Sequence, residues 1–191
     1  MSTAEVTAAP AEEYTPELRA DDARSLVKRC ALWGAGAGLL PFPLLDVALV
    51  TGVQVKMIYE LSKLYEVPFS ENRAKAIIGS LANTVVPGTA AAGLVGGVAS
   101  LVKSVPVVGT VIGLAVSPTV SYAVTYAIGR VFIQHFETGG TLLNFNPDQL
   151  REHFKAEFEA AKADAPSTTE AAKAAADAVK AEGKPGATKA S

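Results

Sequence analysis

The feature that most constrains this chain is a central stretch that is nearly without charge. Between positions 76 and 136 only two residues are charged, Lys103 and Arg130, whereas a soluble domain places about fifteen charges in a stretch of that length. The uncharged runs 76–102 and 104–129 each exceed the roughly twenty residues with which a helix crosses a bilayer. The pattern therefore predicts helices that are buried in lipid.

Prolines leave the depth of that burial open. Pro87, Pro106 and Pro118 fall inside the uncharged runs, and each can kink or end a helix. Membrane helices tolerate such breaks where neighbouring helices satisfy the freed carbonyl groups. The runs are therefore compatible with full spanning, with re-entrant insertion and with peripheral burial.

Small residues recur at a spacing that favours close helix packing. Three glycine pairs are spaced i, i+4, so that each pair shares a helix face: Gly34 with Gly38, Gly93 with Gly97, and Gly109 with Gly113. Such faces let two helix backbones approach closely, which drives helix pairing in lipid. We expect an all-α fold of membrane-associated helical hairpins with small-residue packing and flexible polar tails. A tightly packed soluble bundle is the structural alternative.

Composition and helix-start signals divide the chain into four parts. The predicted parts are a disordered lead (1–15), an apolar helical membrane domain (16–140), an amphipathic C-terminal helix (141–165) and a disordered Ala/Lys-rich tail (166–191). Helices are predicted to start at Pro16, at Pro43, after Ser70 and after Asn146, because N-cap residues or first-turn prolines stand there.

The predicted C-terminal helix has one apolar stripe. Leu150, Phe154 and Phe158 are spaced i, i+4, i+8, so they share one helix face. The stripe is expected to pack either into the body of the protein or against the headgroup region of a membrane.

No pattern for catalysis or for cofactor binding stands out in the sequence. The stretch WGAGAGLLPFPLLD, residues 33–46, has neither the lysine of a P-loop nor the spacing of a dinucleotide fingerprint, and it is interpreted as a bend against a membrane. His135 and His153 have no cysteine or HExxH pattern beside them, which argues against a zinc site. The net charge of -2 argues against nucleic acid as a partner. We therefore expect a protein that is not an enzyme and has no catalytic, metal-binding or cofactor-binding residues.

Three charged residues are candidates for a functional or interfacial role. Asp46 stands beside an apolar hairpin, where a carboxylate is costly and often functional, although its place in a first helical turn also suits the helix dipole. Arg130 ends the long apolar run and is typical of an interfacial anchor. If the runs 76–102 and 104–129 cross the membrane and return, Lys103 is the one basic residue on the far side, and the positive-inside rule places both termini in the cytoplasm.

Two stretches of the chain resemble a known family. They read GAGAGLLPFPLLDVALVTGVQVKMIYELSKLYEVPFS and VPVVGTVIGLAVSPTVSYAVTYAIGRVFIQHFETGG, and they carry a proline bend before Asp46, a KMIYELSKLYEV helix and a closing TYAIGRVFIQHFE. Over roughly residues 23–140 the chain is similar to the YcjF-like family of bacterial membrane proteins of unknown function. Related domains also occur C-terminal to Era-like GTPase domains. The resemblance implies a membrane-associated helical domain with a separately encoded GTPase as a partner, and it supplies no catalytic residues.

These observations predict a non-enzymatic anchor or scaffold in the bacterial inner membrane. Its expected partners are the lipid bilayer and either a GTPase or further copies of the same chain. A soluble or amphitropic helical module that binds lipid or a partner helix is the main alternative, because the prolines can divide the body into short helices. An ion or solute conduit that uses Asp46 is a third hypothesis.

Overall fold

The computed structural model describes residues 15–37, 43–85, 118–167, 169–173 and 176. All regular structure in these residues is helical, which confirms the all-α prediction. The helices with more than two turns are α1 (Pro16–Ala37), α2 (Pro43–Leu64), α3 (Glu71–Val85), α4 (Pro118–Glu137) and α5 (Pro147–Ala163).

The predicted helix starts are confirmed, and local hydrogen bonds explain two of them. Thr15 Oγ1 accepts a hydrogen bond from the Leu18 N–H at 3.3 Å, and Asn146 Oδ1 accepts one from the Asp148 N–H at 3.0 Å. A proline follows each of these caps, where its missing N–H costs nothing and its fixed φ suits the first turn. Side-chain chemistry over three or four residues therefore fixes these boundaries.

Two helices end at the limits of the described ranges. α1 continues beyond Trp33 through two glycines to Ala37, and α3 ends at Val85. Among the described residues, no helix combines the length and the apolar composition that a membrane crossing requires. The prediction of spanning helices therefore gains no support from α3 and α4, and most of both runs, residues 86–117, lies outside the described residues.

α4 is the central helix of the described fold. It packs against α1, α2 and α5, while α3 bridges α2 and α5. The core around α4 contains large side chains as well as small ones. The largest of those fully buried are Phe132, Phe154, Met57, Ile58, Leu61, Ile78, Leu81 and Ile128. The described part is thus held together by the burial of apolar area that also stabilises soluble helical proteins.

The apolar stripe of α5 packs into the body of the protein. Phe154 is fully buried and Phe158 is 5% exposed, and Leu150 packs against the same core while partly exposed. Of the two places expected for this stripe, the structure shows the core.

A second capping arrangement follows α5. The N–H and the hydroxyl of Ser167 donate to Glu170 Oε2 at 2.9 and 2.8 Å, and the Glu170 N–H donates back to Ser167 Oγ. These hydrogen bonds lower the pKa of the Glu170 carboxyl. They start the helical turn at 169–173, whose Ala171 is buried. Reciprocal capping thus orders a turn in a stretch whose composition alone predicts disorder.

Candidate functional site

Two contacts fix how α2 lies against α4. Gln54 Nε2 donates to Thr125 Oγ1 at 3.1 Å, and both groups are buried. About three turns further along, directly after the end of α2, the Tyr65 hydroxyl donates to Glu137 Oε1 at 3.2 Å. The residue numbers rise together on both helices, so α2 and α4 run parallel.

Two glycines fix how α1 lies against α4. A Cβ atom added at Gly34 would come within 2.9 Å of Thr125 Oγ1, and one added at Gly129 would come within 2.5 Å of the Val27 side chain. Real Cβ atoms do not approach so closely, so the missing side chains allow the two helices to touch. Val27 meets Gly129, and Gly34, seven residues later, meets Thr125. Residue numbers therefore rise along α1 as they fall along α4, and the two helices are antiparallel.

This register aligns three stretches that carry no charge. They are residues 30–37 of α1, 47–55 of α2 and 118–129 of α4, and together they are called the uncharged half. The C-terminal end of α1 and the N-terminal ends of α2 and α4 therefore lie at the same end of the fold. The stretches of α1 and α2 are close in the sequence, whereas that of α4 lies more than sixty residues further on, so the packing of the helices brings the third stretch to the other two.

Two exposed cations and a tryptophan stand at the border of the uncharged half. Lys56 Nζ lies 5.2 Å from the centroid of the Trp33 ring, which is the range of a cation–π contact. Arg29 precedes Trp33 by four residues, so the two share a face of α1. Arg29 and Lys56 are exposed, and Trp33 is partly exposed. Arg29, Trp33 and Lys56 are called the cation–indole site.

The thiol of Cys30 lies behind this site. Cys30 is buried, and burial raises the pKa of its thiol to about 11 although Arg29 and Lys56 act in the opposite direction. Since the thiolate is the nucleophilic form, the thiol is inert at neutral pH.

Arg130 links α4 to α5. Its Nε lies 3.5 Å from Glu157 Oε2, and the other oxygen of Glu157 lies 3.8 Å from His153 Nε2. The side chain of Arg130 is 30% exposed. The structure thus places this predicted anchor in an interhelical ion pair, and its interfacial role stays a prediction.

α5 carries charge along its whole outer face. Ion pairs between residues three apart follow one another along it: Asp148 with Arg151, Glu152 with Lys155, and Glu159 with Lys162. The C-terminal end of α5, at Asp164, lies near Tyr122 of α4. Burial raises the pKa of Tyr122, and the neighbouring Tyr126 and Asp164 raise it further. α5 therefore covers one side of α4 and carries charge along its own outer face, even beside the uncharged half.

A groove of about 640 Å³ lies between α3 and α5. Small and polar residues of α3 line one wall, among them Gly79, Ser80 and Thr84, and Arg151 and Lys155 line the other. Both cations already pair with carboxylates of their own helix, so the groove has no excess of positive charge. Within the described ranges, no group of three histidine, cysteine, aspartate or glutamate residues is placed to hold a metal ion.

The structure describes only some of the residues that the sequence singles out. Gly34 lies in the contact between α1 and α4. Asp46 belongs to α2, but its side chain is outside the described residues. The others lie outside the described residues altogether: Gly38, Gly93, Gly97, Gly109, Gly113 and Lys103.

Sequence reasoning missed three residues that set the packing of α4. Gln54 and Thr125 form a buried hydrogen bond, and Gly129 allows the approach of Val27. A glutamine in an otherwise apolar stretch was the available signal for the first pair, because such a group needs a buried partner. Gly129 has no glycine at i±4 and so carries no comparable signal.

Comparison with known families places the chain in one of them. Residues 3–163 match the domain of unknown function DUF697. The chain belongs to the DUF697 family. A relative, magnetosome membrane protein 22 of Magnetospirillum gryphiswaldense, is 39% identical over 141 residues, which cover 74% of this chain and 71% of the relative. No solved structure matches this DUF697 chain.

The family assignment gives no reaction to look for. DUF697 is a domain of unknown function, and the name of the relative associates that protein with a membrane. The uncharged half and its border are therefore the features of this DUF697 protein that indicate a role.

Proposed function

We propose that this DUF697 protein is a non-enzymatic, membrane-associated helical scaffold that directs its uncharged half toward the bilayer. The observation that carries the proposal is the alignment of the three charge-free stretches of α1, α2 and α4. Charged side chains normally cover the surface of a soluble bundle, whereas they are absent from these three stretches, and α5 brings charge beside them on one side of α4.

The dimensions of the uncharged half favour insertion into one leaflet. The charge-free stretches of α2 and α4 hold 9 and 12 residues, which correspond to roughly 14–18 Å of helix. The hydrocarbon core of a bilayer is about 30 Å thick. The described helices are therefore long enough to enter a leaflet, while the charge-poor residues 86–117 join α3 to the inserted end of α4.

Exposed apolar side chains support this orientation. Leu49 of α2 is 46% exposed, and Leu32, Trp33 and Val53 are partly exposed on the same two helices. Partial exposure of several apolar side chains on these two helices is costly in water and favourable in lipid. On the opposite side of α4, the charged face of α5 remains in water.

The finer assignments belong to this proposal. We place the protein in the bacterial inner membrane with both termini in the cytoplasm, as its YcjF-like resemblance and the single lysine of residues 76–129 suggest. A GTPase or a second copy of the chain is the proposed protein partner, and the charged face of α5 is the surface left for it in water.

An amphitropic module is the second candidate. It is favoured by the finding that no helix in the described ranges could cross a membrane. Fractionation of cells that express the full chain separates the two candidates. After lysis without detergent we expect the protein in the membrane pellet, and an integral scaffold stays there after alkaline carbonate extraction, whereas an amphitropic module is released. Recovery in the first supernatant would show that the proposal is wrong.

Site-directed labelling tests the orientation. In a Cys30→Ala background, a thiol at Leu49→Cys should be protected from a water-soluble maleimide in membranes, and one at Glu159→Cys should react. Glu159 is 67% exposed on α5, which makes it the matched hydrated position. Both thiols should react in denaturant. Equal labelling of both in intact membranes contradicts the proposed orientation.

A further inference from the structure

We infer that the end of α5 and the helical turn that follows it form a strap, which covers the uncharged stretch of α4 and leaves it when the uncharged half enters a membrane. The strap is defined as residues 161–167 and 169–173. The inference rests on the proposed function, because the strap moves only when the uncharged half enters lipid. It adds a conformational switch in which the strap and the bilayer compete for the same side of α4.

The direction of α5 places the strap beside the uncharged half. Glu157 of α5 lies against Arg130 of α4, and seven residues later Asp164 lies near Tyr122. Residue numbers therefore rise along α5 as they fall along α4. The part of α5 that follows Glu157 lies opposite the uncharged stretch 118–129, so the strap begins within the uncharged half.

Small side chains hold the strap in place. In the described part of the strap, the buried side chains are those of Ala161, which is 3% exposed, and Ala171, which is fully buried. Ala165 packs partly against the same core. The part of α5 that precedes the strap is anchored instead by the rings of Phe154 and Phe158. A buried methyl group contributes far less stability than a buried ring, so the strap can open locally while the rest of α5 stays docked.

The strap carries charge that a bilayer excludes. Its exposed charged side chains are Lys162, Asp164, Glu170 and Lys173. From Arg130 to Tyr122 there are eight residues, or roughly 12 Å of helix, and the hydrocarbon of one leaflet is about 15 Å thick. With Arg130 at the membrane surface, a docked strap would carry the Asp164 carboxylate into hydrocarbon, where a charge is costly. Release of the strap removes this cost and opens that side of α4 to lipid.

Thiol labelling of the full chain in washed membranes tests the release. In a Cys30→Ala background, single cysteines replace Ala161 and Ala171 in the strap, the fully buried Ala74 of α3 and the exposed Ala172. We expect both strap thiols to react with a water-soluble maleimide as fast as the thiol of Ala172→Cys. The thiol of Ala74→Cys should react roughly tenfold more slowly or less, since a docked side chain must open before it reacts.

The docked state is the reference for that measurement. In the full chain made by cell-free translation without lipid, both strap thiols should be as protected as the thiol of Ala74→Cys. Added phosphatidylcholine vesicles should make the strap thiols reactive and leave Ala74→Cys protected. Strap thiols that stay protected in membranes, or that already react before vesicles are added, overturn the inference.

Two variants with the same change in charge at neighbouring positions test the competition. Ala171→Glu places a carboxylate at a buried position and weakens docking, whereas Ala172→Glu places it at an exposed one. In vesicle flotation, Ala171→Glu should bind phosphatidylcholine roughly threefold to tenfold more tightly than the unchanged chain, because the undocked state that binds lipid is populated more. Ala172→Glu should bind like the unchanged chain. Equal binding of the two variants contradicts the competition, and circular dichroism checks that each is folded.

The outcomes separate this inference from the proposed function. If the strap thiols are protected in membranes and the thiol of Leu49→Cys is protected as well, the strap stays docked and the membrane scaffold survives. The bilayer then meets only the side formed by α1 and α2. Recovery of the full chain in the supernatant after simple lysis overturns both.

Discussion

The helix pair α1 and α2, and the helix α5, pack against the same central helix, α4. They distribute charge differently. α5 carries ion pairs from Asp148 to Lys162 and buries a single stripe. α1 and α2 carry charge only in the half that begins at Arg29 and Lys56, apart from Asp46, whose side chain lies outside the described residues. A helix with a charged outer face along its whole length is made for water. A pair of helices that lose charge at a common level fits the proposed position at the boundary between water and lipid.

The largest expected effect concerns the attachment of α5. Phe154→Ala removes a fully buried ring and should lower the free energy of unfolding by about 3–5 kcal/mol. Denaturant titration followed by circular dichroism measures this. The neighbouring Glu152→Ala, at an 82% exposed side chain, should change stability by less than about 0.5 kcal/mol. A small loss at Phe154 together with weaker membrane binding would mean that the stripe contacts lipid instead of the core.

The next effect concerns the close contact of α1 with α4. Gly129→Val places side-chain atoms where the Val27 side chain already lies, and overpacking of this kind costs about 1–3 kcal/mol. Gly52→Ala is the control, because no atom lies within 4 Å of a Cβ atom added there. It should stabilise the protein by about 0.5–1 kcal/mol through helix propensity. Thermal unfolding of both variants gives the comparison, and a stabilised Gly129→Val would show that the helices are not in contact.

The dependence of stability on alkaline pH tests whether the Cys30 thiol of α1 is buried. Burial raises the pKa of Cys30 from 9.0 to about 11, so the folded protein holds this proton more tightly than the unfolded chain. The resulting stability, about 3 kcal/mol, is fully present below pH 9 and is lost as the pH rises through 11. Unfolding measured between pH 8 and 11 should show this decline, and Cys30→Ala should remove it.

Tyr65 provides the comparison at the opposite end of the fold. Burial, followed by Glu137, raises the pKa of its hydroxyl to about 12, so its contribution declines at higher pH than that of Cys30. Tyr65→Phe should leave the slope between pH 8 and 10 unchanged. A flat pH profile of the unchanged protein across this range is the result that contradicts the burial of the thiol.

The smallest expected effect concerns the buried hydrogen bond between α2 and α4. A double-mutant cycle with Gln54→Leu and Thr125→Val should give a coupling energy of about 1 kcal/mol, since each single change leaves one polar group without its partner. Val53→Ala with Thr125→Val serves as the uncoupled cycle. Additive losses in the Gln54 cycle would show that this bond does not hold α2 in register with α4.

Much of the described fold could be predicted from local sequence signals. Thr15 and Asn146 cap helices as expected, because capping depends on residues within one turn of each other. The stripe on α5 was visible for the same reason, although its choice between core and headgroups was not. Gly129 has no periodic pattern that would reveal it, and Thr125 could not be identified as the partner of Gln54 because it lies 71 positions away.

By itself the sequence determined that the chain is helical, that charge is absent from its middle, and where α1, α2 and α5 begin. Only the tertiary structure decided that Arg29, Lys56 and Arg130 stand at one level and that α5 shields one side of α4. The reason is physical. Composition and capping act within a few residues, whereas a level across three helices exists only once interhelical contacts such as Gly34–Thr125 and Gln54–Thr125 have fixed their register.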